Sequence, residues 1–139
     1  MQPSAGMRVP MNDPALILIV EDNPGSLMLA TVALETDGFA VAGAETAAQA
    51  RTLLAGATPD LILMDIQLPD ADGLEFTKEL KADPATADIP VIALTAHAMP
   101  LHERAARAAG CVGFIAKPWM PEALSRDVRA ILATEASRR

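Results

Sequence analysis

Tyrosine is absent from this chain, and the aromatic set is completed by one Trp and three Phe. A chain this poor in rings has little with which to sandwich a flat cofactor such as a flavin. Cysteine occurs once, at Cys111. A lone cysteine makes no internal disulfide, and its apolar surroundings mark it as a small core residue of a reduced compartment rather than a nucleophile. Long apolar runs are missing too. The longest, Ala15 to Val20, falls far short of the roughly 20 residues a membrane span requires, so no membrane association is expected. The opening "MQPSAGMRVPMNDP" lacks the apolar centre and cleavage site of a secretory signal. It reads as a flexible tail over residues 1–13, ahead of one domain over 14–135 and a short tail over 136–139, in a cytoplasmic protein.

What is present is a chain of 139 residues, 51% of them hydrophobic, enough to close a single core and too apolar for wholesale disorder. Its charge is −7 and unevenly spread. Residues 1–103 carry 4 basic and 15 acidic side chains, a balance of −11, and residues 104–139 carry 7 and 3, a balance of +4. Nucleic-acid binding is not expected, because phosphate contacts need clustered Lys and Arg. The positive rear, including Arg126, Arg129, Arg138 and Arg139, is suited to a solvated C-terminal helix or to an acidic partner.

Five short apolar segments recur along the chain: "ALILIV" from 15, "FAVAGA" from 39, "LILM" from 61, "PVIAL" from 90 and "CVGFIA" from 111. Each is followed by helical material: "NPGSLMLATVALETDG", "TAAQARTLLAGA", "DGLEFTKELKAD", "MPLHERAARAAG" and "MPEALSRDVRAILATEA". The alternation is a five-fold βα repeat. The first and third segments are apolar continuously rather than alternately, as befits parallel strands covered by helices on both faces. Right-handed crossovers then give a doubly wound α/β sheet. Periodicity leaves the strand order open, but ligands in such sheets bind beyond the carboxyl ends of the strands.

Those ends carry polar residues that make chemical sense together. The first strand runs into Glu21 and Asp22, the third into Asp65, the fourth into Thr95, and the fifth into Lys117 and Pro118. If the first and third strands are neighbours, three carboxylates meet at one spot, where they repel unless a cation sits among them. An oxygen-only set suits Mg2+ or Mn2+, and no His or Cys joins it to favour zinc. With a metal on Glu21 and Asp22, the free oxygen of Asp65 is a nucleophile toward phosphorus. Thr95 offers a hydroxyl, and Lys117 a point charge, to the phosphoryl oxygens. A single acid after a strand is usually a solvated loop residue; coincidence at four strand ends is hard to obtain from packing alone.

Together, "LIVEDN", "PDLILMDIQLPDADGLE", "PVIALTA" and "GFIAKP" resemble the receiver domain of two-component response regulators, in order and spacing, from about residue 15 to 134 of the chain. The resemblance implies a flavodoxin-like (βα)5 fold whose five-stranded parallel sheet has the order 2-1-3-4-5. It makes Asp65 the phosphoacceptor, Glu21 and Asp22 the metal-binding acid pair, and Gln67 a metal ligand through its backbone carbonyl. Thr95 and Lys117 then read the phosphoryl group, Phe114 is the aromatic that reports it, and the Lys117–Pro118 peptide is cis. Gln67 and His97 flank the route of an attacking water in this family and are expected to tune the life of the acyl phosphate.

The implied partners are a histidine kinase or histidine phosphotransfer protein as donor and a downstream protein as target. The fourth helix has few large anchors, so it is the element expected to shift, and the face of helix four, strand five and helix five is the expected output surface. A stand-alone regulator of the cell-division type and the receiver of a hybrid histidine kinase share this wording. Phe114 lacks the hydroxyl of tyrosine, so any switch acts through packing. A Mg2+-dependent aspartyl-phosphate phosphatase is the rival from another class. It would carry a second acid two residues after Asp65, where this chain has Gln67.

Overall fold

The computed structural model describes residues 14–96 and 100–137. Strands and helices alternate without exception: β1 Leu16–Val20, α1 Pro24–Thr36, β2 Ala40–Ala44, α2 Ala47–Gly56, β3 Leu61–Asp65, α3 Gly73–Ala82, β4 Val91–Thr95, α4 Pro100–Ala109, β5 Gly113–Ala116 and α5 Pro121–Ser137. All strands are parallel, in the order β2-β1-β3-β4-β5. The strand order left open by periodicity is therefore the flavodoxin-like one. α5 reaches Ser137, two residues past the boundary expected at 135. The N-terminal segment 1–13 and His97 lie outside the described residues.

Local chemistry sets the boundaries. Asn23 caps α1 by accepting the Ser26 N–H at 2.9 Å, and Pro24 opens the helix, where its missing donor costs nothing. Just beyond the end of the same helix, Gly38, with a φ of +94°, lets the Gly38 and Phe39 N–H groups turn back onto the carbonyls of Glu35 and Leu34. Asp72 caps α3 through the Leu74 and Glu75 N–H groups.

β3 and β4 are buried along their whole length and β1 over all but its first residue, as continuous apolar runs require in a sheet covered on both faces. One core lies on the side of α2, α3 and α4, and includes Val20, Ile62, Met64, Phe76 and Cys111. The other lies on the side of α1 and α5, and includes Ile17, Ile19, Leu34, Leu63 and Leu124. Each large side chain so buried stabilises the fold by about 1.5–3 kcal/mol before entropy is set against it. Cys111 is a core residue, and burial pushes its thiol up to about 11. No helix among the described residues is long and apolar enough to cross a membrane.

Candidate functional site

β1 lies between β2 and β3, so the carboxyl ends of β1 and β3 deliver their acids side by side. Glu21, Asp22 and Asp65 each offer an oxygen within 4.8 Å of the others. Glu21 and Asp65 are buried, at 1% and 5% exposure, while Asp22 is exposed. Thr95 ends β4 and Lys117 follows β5; both line the same cleft of about 480 Å³. The five strand-end residues expected to act together therefore share one cavity. The Lys117–Pro118 peptide is cis.

The electrostatics are those of crowded negative charge with one cation. The Lys117 ammonium lies 2.6 Å from Glu21 Oε1 and 3.5 Å from Asp65 Oδ2. The other oxygen of Glu21 accepts the Asn23 N–H at 3.1 Å, and Asp65 Oδ1 accepts the Gln67 N–H at 3.1 Å. Among the described residues, Glu21 Oε1 is fully buried with no partner of regular hydrogen-bond geometry; the adjacent ammonium balances its charge. Burial, then the side-chain bond to Glu21, push the Asp65 carboxyl up to about 7. Burial alone would lower Lys117, but the bond to Glu21 and the charges of Asp65 and Glu21 outweigh it and hold its pKa above the ordinary lysine value. A set of closely spaced carboxylate oxygens, one of them buried without a regular partner, fits a hard divalent cation.

A glycine fixes how Asp65 is presented. Gly73 donates its N–H to the Ile66 carbonyl at 2.7 Å, and a Cβ there would lie 2.0 Å from the Asp65 carbonyl oxygen. Only glycine lets the start of α3 press flat on the backbone that carries Asp65. Gln67 is exposed and lines the cleft. Phe114 stands apart from it, half-buried on β5 and packed on the α2–α3–α4 side, beside a groove of about 240 Å³ shared with Ile92, Arg107 and Asp127.

Sequence reasoning passed over part of the rim. Asn23, Ser26 and Ala96 line the acidic cleft, and Leu29, Pro118 and Trp119 form an apolar wall that continues from Lys117. The sole tryptophan, directly after Lys117–Pro118, was the available signal for that wall. The positive rear is also more fully paired than its net charge implies, in part with acids from the front of the chain. Arg107 pairs with Glu103, Arg126 with Asp127, and Arg129 with Asp37.

Parallel order 2-1-3-4-5, three acids at the ends of adjacent strands and a lysine balancing them define a class: doubly wound α/β proteins whose chemistry rests on charged residues at the strand ends. The sequence model described as "Response regulator receiver domain" matches residues 17–129, and the chain belongs to that family of two-component signalling proteins. It is 44% identical over 105 residues to the polar-differentiation response regulator DivK of Brucella anthropi, covering 76% of this chain and 85% of that one. A putative response regulator from Chloroflexus aurantiacus J-10-fl superposes with a TM-score of 0.83 at 30% identity, covering 87% of this chain and 99% of the other. The receiver domain of a sensor histidine kinase from Pseudomonas aeruginosa PAO1, solved with a magnesium ion in its active-site cleft, gives 0.79 at 32% identity, with coverage of 86% and 98%.

Proposed function

We propose that this chain accepts a phosphoryl group on Asp65 from a phosphohistidine of a kinase or phosphotransfer protein. An Asp65 carboxylate oxygen attacks phosphorus, the P–N bond breaks as the P–O bond forms, and the imidazole leaves with the electron pair. Glu21, Asp22, Asp65 and the Gln67 carbonyl are the residues that would hold Mg2+ or Mn2+. That ion supplies positive charge for the oxygens of the transferred group. Lys117 holds the two buried acids together and meets the phosphoryl oxygens, with the Thr95 hydroxyl as a second partner. Gln67, and His97 two residues past Thr95, govern access of water to the product. The chain acts on itself and turns over no external substrate.

The observation that carries this reading is the buried Glu21–Lys117–Asp65 contact at the ends of three separate strands. The wall of Leu29, Pro118 and Trp119 continues from Lys117 at the edge of the cleft, so we assign it to donor docking. α4 supports the output reading, since Ala106 and Ala109 are its buried anchors, whereas α3 buries Phe76 and Leu80. New bonds to Thr95 would draw the following loop inward, α4 would yield, and Phe114 would turn to alter the α4–β5–α5 face. The DivK likeness, at 44% identity over 85% of that relative, favours a response regulator over a hybrid-kinase receiver. Such donors, like the reduced cysteine, fit the cytoplasm.

Incubation with acetyl phosphate and Mg2+ followed by intact-mass measurement tests the proposal. One phosphoryl group is expected on the native chain and none on Asp65→Asn. Unchanged labelling of Asp65→Asn would overturn Asp65 as the acceptor, and rapid turnover of an external phosphoester would instead support the phosphatase reading.

A further inference from the structure

The turn between β3 and α3 is held from outside by a contact that catalysis as proposed above does not use. Asp70, exposed at its tip, reaches the first turn of α2: Oδ1 accepts the Ala47 N–H at 2.9 Å and Oδ2 the Ala48 N–H at 3.1 Å. α2 has its own cap in Thr46, which accepts the Gln49 N–H at 3.0 Å, and Asp70 takes two of the donors this cap leaves over. Ala48 is exposed and water would serve its N–H equally well, while Ala47 is buried. The chain instead brings a carboxylate from 22 and 23 residues away.

We infer that Asp70 is a positioning residue for the acidic cleft, a clasp that closes a bonded strap over the carboxyl end of β1 and fixes the turn bearing Gln67. β1 lies between β2 and β3, and α2 follows β2 while Asp70 follows β3, so the contact passes over the strand that delivers Glu21 and Asp22. Both ends of the strap are tied to the acids. On one side the Glu21 N–H donates to the Ala44 carbonyl at 2.9 Å, three residues before Ala47. On the other, the turn is closed by the Gln67–Asp72 bridge and the Leu68 N–H to Ala71 carbonyl bond at 3.2 Å, and the Gln67 N–H donates to Asp65 Oδ1. Hydrogen bonds joined by short backbone segments thus run from the acid after β1, through the end of β2 and the start of α2, to the acid on β3. The charge favours the contact as well, because a carboxylate on a helix N-terminus meets the positive end of the dipole. The Ala47 N–H bond, above all, holds the Asp70 carboxyl below its ordinary range. The inference rests on the cleft being a divalent-ion and phosphoryl site, since its consequence is a better-defined ligand set there.

The test uses the full chain, with Trp119 fluorescence reporting Mg2+ affinity and intact mass reporting phosphoryl uptake from acetyl phosphate. Asp70→Ala is expected to weaken Mg2+ binding about tenfold, as loss of an outer partner of a metal site does, and to slow uptake in step. Asp70→Asn, which keeps an acceptor oxygen and loses the charge, falls between. Ala47→Pro removes one donor from the other end; proline suits the first helical position, and Thr46 before it is extended. Combined with Asp70→Ala it should add nothing, because both changes open one contact. If native chain and Asp70→Ala bind Mg2+ alike and differ only in melting temperature, Asp70 is a plain helix cap and the inference is overturned. A native chain that neither binds Mg2+ nor takes up phosphoryl overturns the proposed function, and this inference with it.

Discussion

Lys117 sits closer to Glu21 than to Asp65, at 2.6 Å against 3.5 Å. Glu21 is almost wholly enclosed, so its charge depends on that ammonium. Removing one partner of a buried pair leaves the other uncompensated, which costs more than the pair contributed. Lys117→Met is therefore expected to destabilise the metal-free chain by about 2–3 kcal/mol, less than a fully enclosed pair because the lysine keeps some solvent. Urea unfolding with and without Mg2+ checks this. The deficit should shrink in Mg2+, because the ion supplies the missing charge.

The raised Asp65 pKa makes stability fall as pH rises. The folded chain holds this proton up to about 7, from a starting value of 3.8, whereas the unfolded chain releases it near 4. Between those values the native state binds more protons, so the contribution is complete below about pH 4 and is lost as pH rises through about 7. Metal-free chain should show a urea midpoint that declines across this window. Asp65→Asn should be flatter, and more stable at about pH 8 by on the order of 1–2 kcal/mol. A midpoint that instead rises from about pH 5 to about pH 8 would show Asp65 ionised throughout.

Much of this site was legible because it is written at strand ends. Continuous apolar runs identify buried parallel strands and put Glu21, Asp22, Asp65, Thr95 and Lys117 at one edge of the sheet; that the acids of the first and third strands stand side by side depends on the strand order, which periodicity left open and the family resemblance supplied. Two features were not legible. The preference of Lys117 for Glu21 depends on one extra methylene and on burial, neither of which a motif encodes. Asp70 follows Pro69 in a turn and reads as a turn former; its partners are the backbone N–H groups of two alanines, which have no side-chain signature.

Gly73 and Gly56 form a matched pair of tests. A methyl at Gly73 meets the Asp65 carbonyl oxygen at 2.0 Å, with Ile66 Cα at 2.9 Å, and both are backbone. A methyl at Gly56 meets nothing within 4 Å. Gly73→Ala should cost about 1–3 kcal/mol or more as the start of α3 is pushed off β3, and it should slow phosphoryl uptake because Asp65 moves with its carbonyl. Gly56→Ala should stabilise by about 0.4–1 kcal/mol through the unfolded chain, with uptake unchanged. Chemical denaturation and mass-detected labelling of the two variants separate a packing constraint at the nucleophile from a general glycine effect.

With three phenylalanines in the chain, fluorophenylalanine labelling gives a spectrum simple enough to follow the switch directly. Phe76 is enclosed under the Arg51 guanidinium, 4.5 Å from its ring centre. Phe39 packs half-buried in the α1–α5 core and Phe114 half-buried on β5. Fluorine shifts respond to local packing, so the resonance assigned to Phe114 through Phe114→Leu should move most on phosphorylation, and Phe39 and Phe76 less than half as far. Thr95→Ala should take up phosphoryl and leave the Phe114 resonance near its unphosphorylated position, because the hydroxyl that couples the phosphoryl group to the loop before α4 is gone. Equal movement of all three rings would mean that phosphorylation loosens the whole core instead of turning one side chain, and the α4–β5–α5 face would lose its claim to be the output surface.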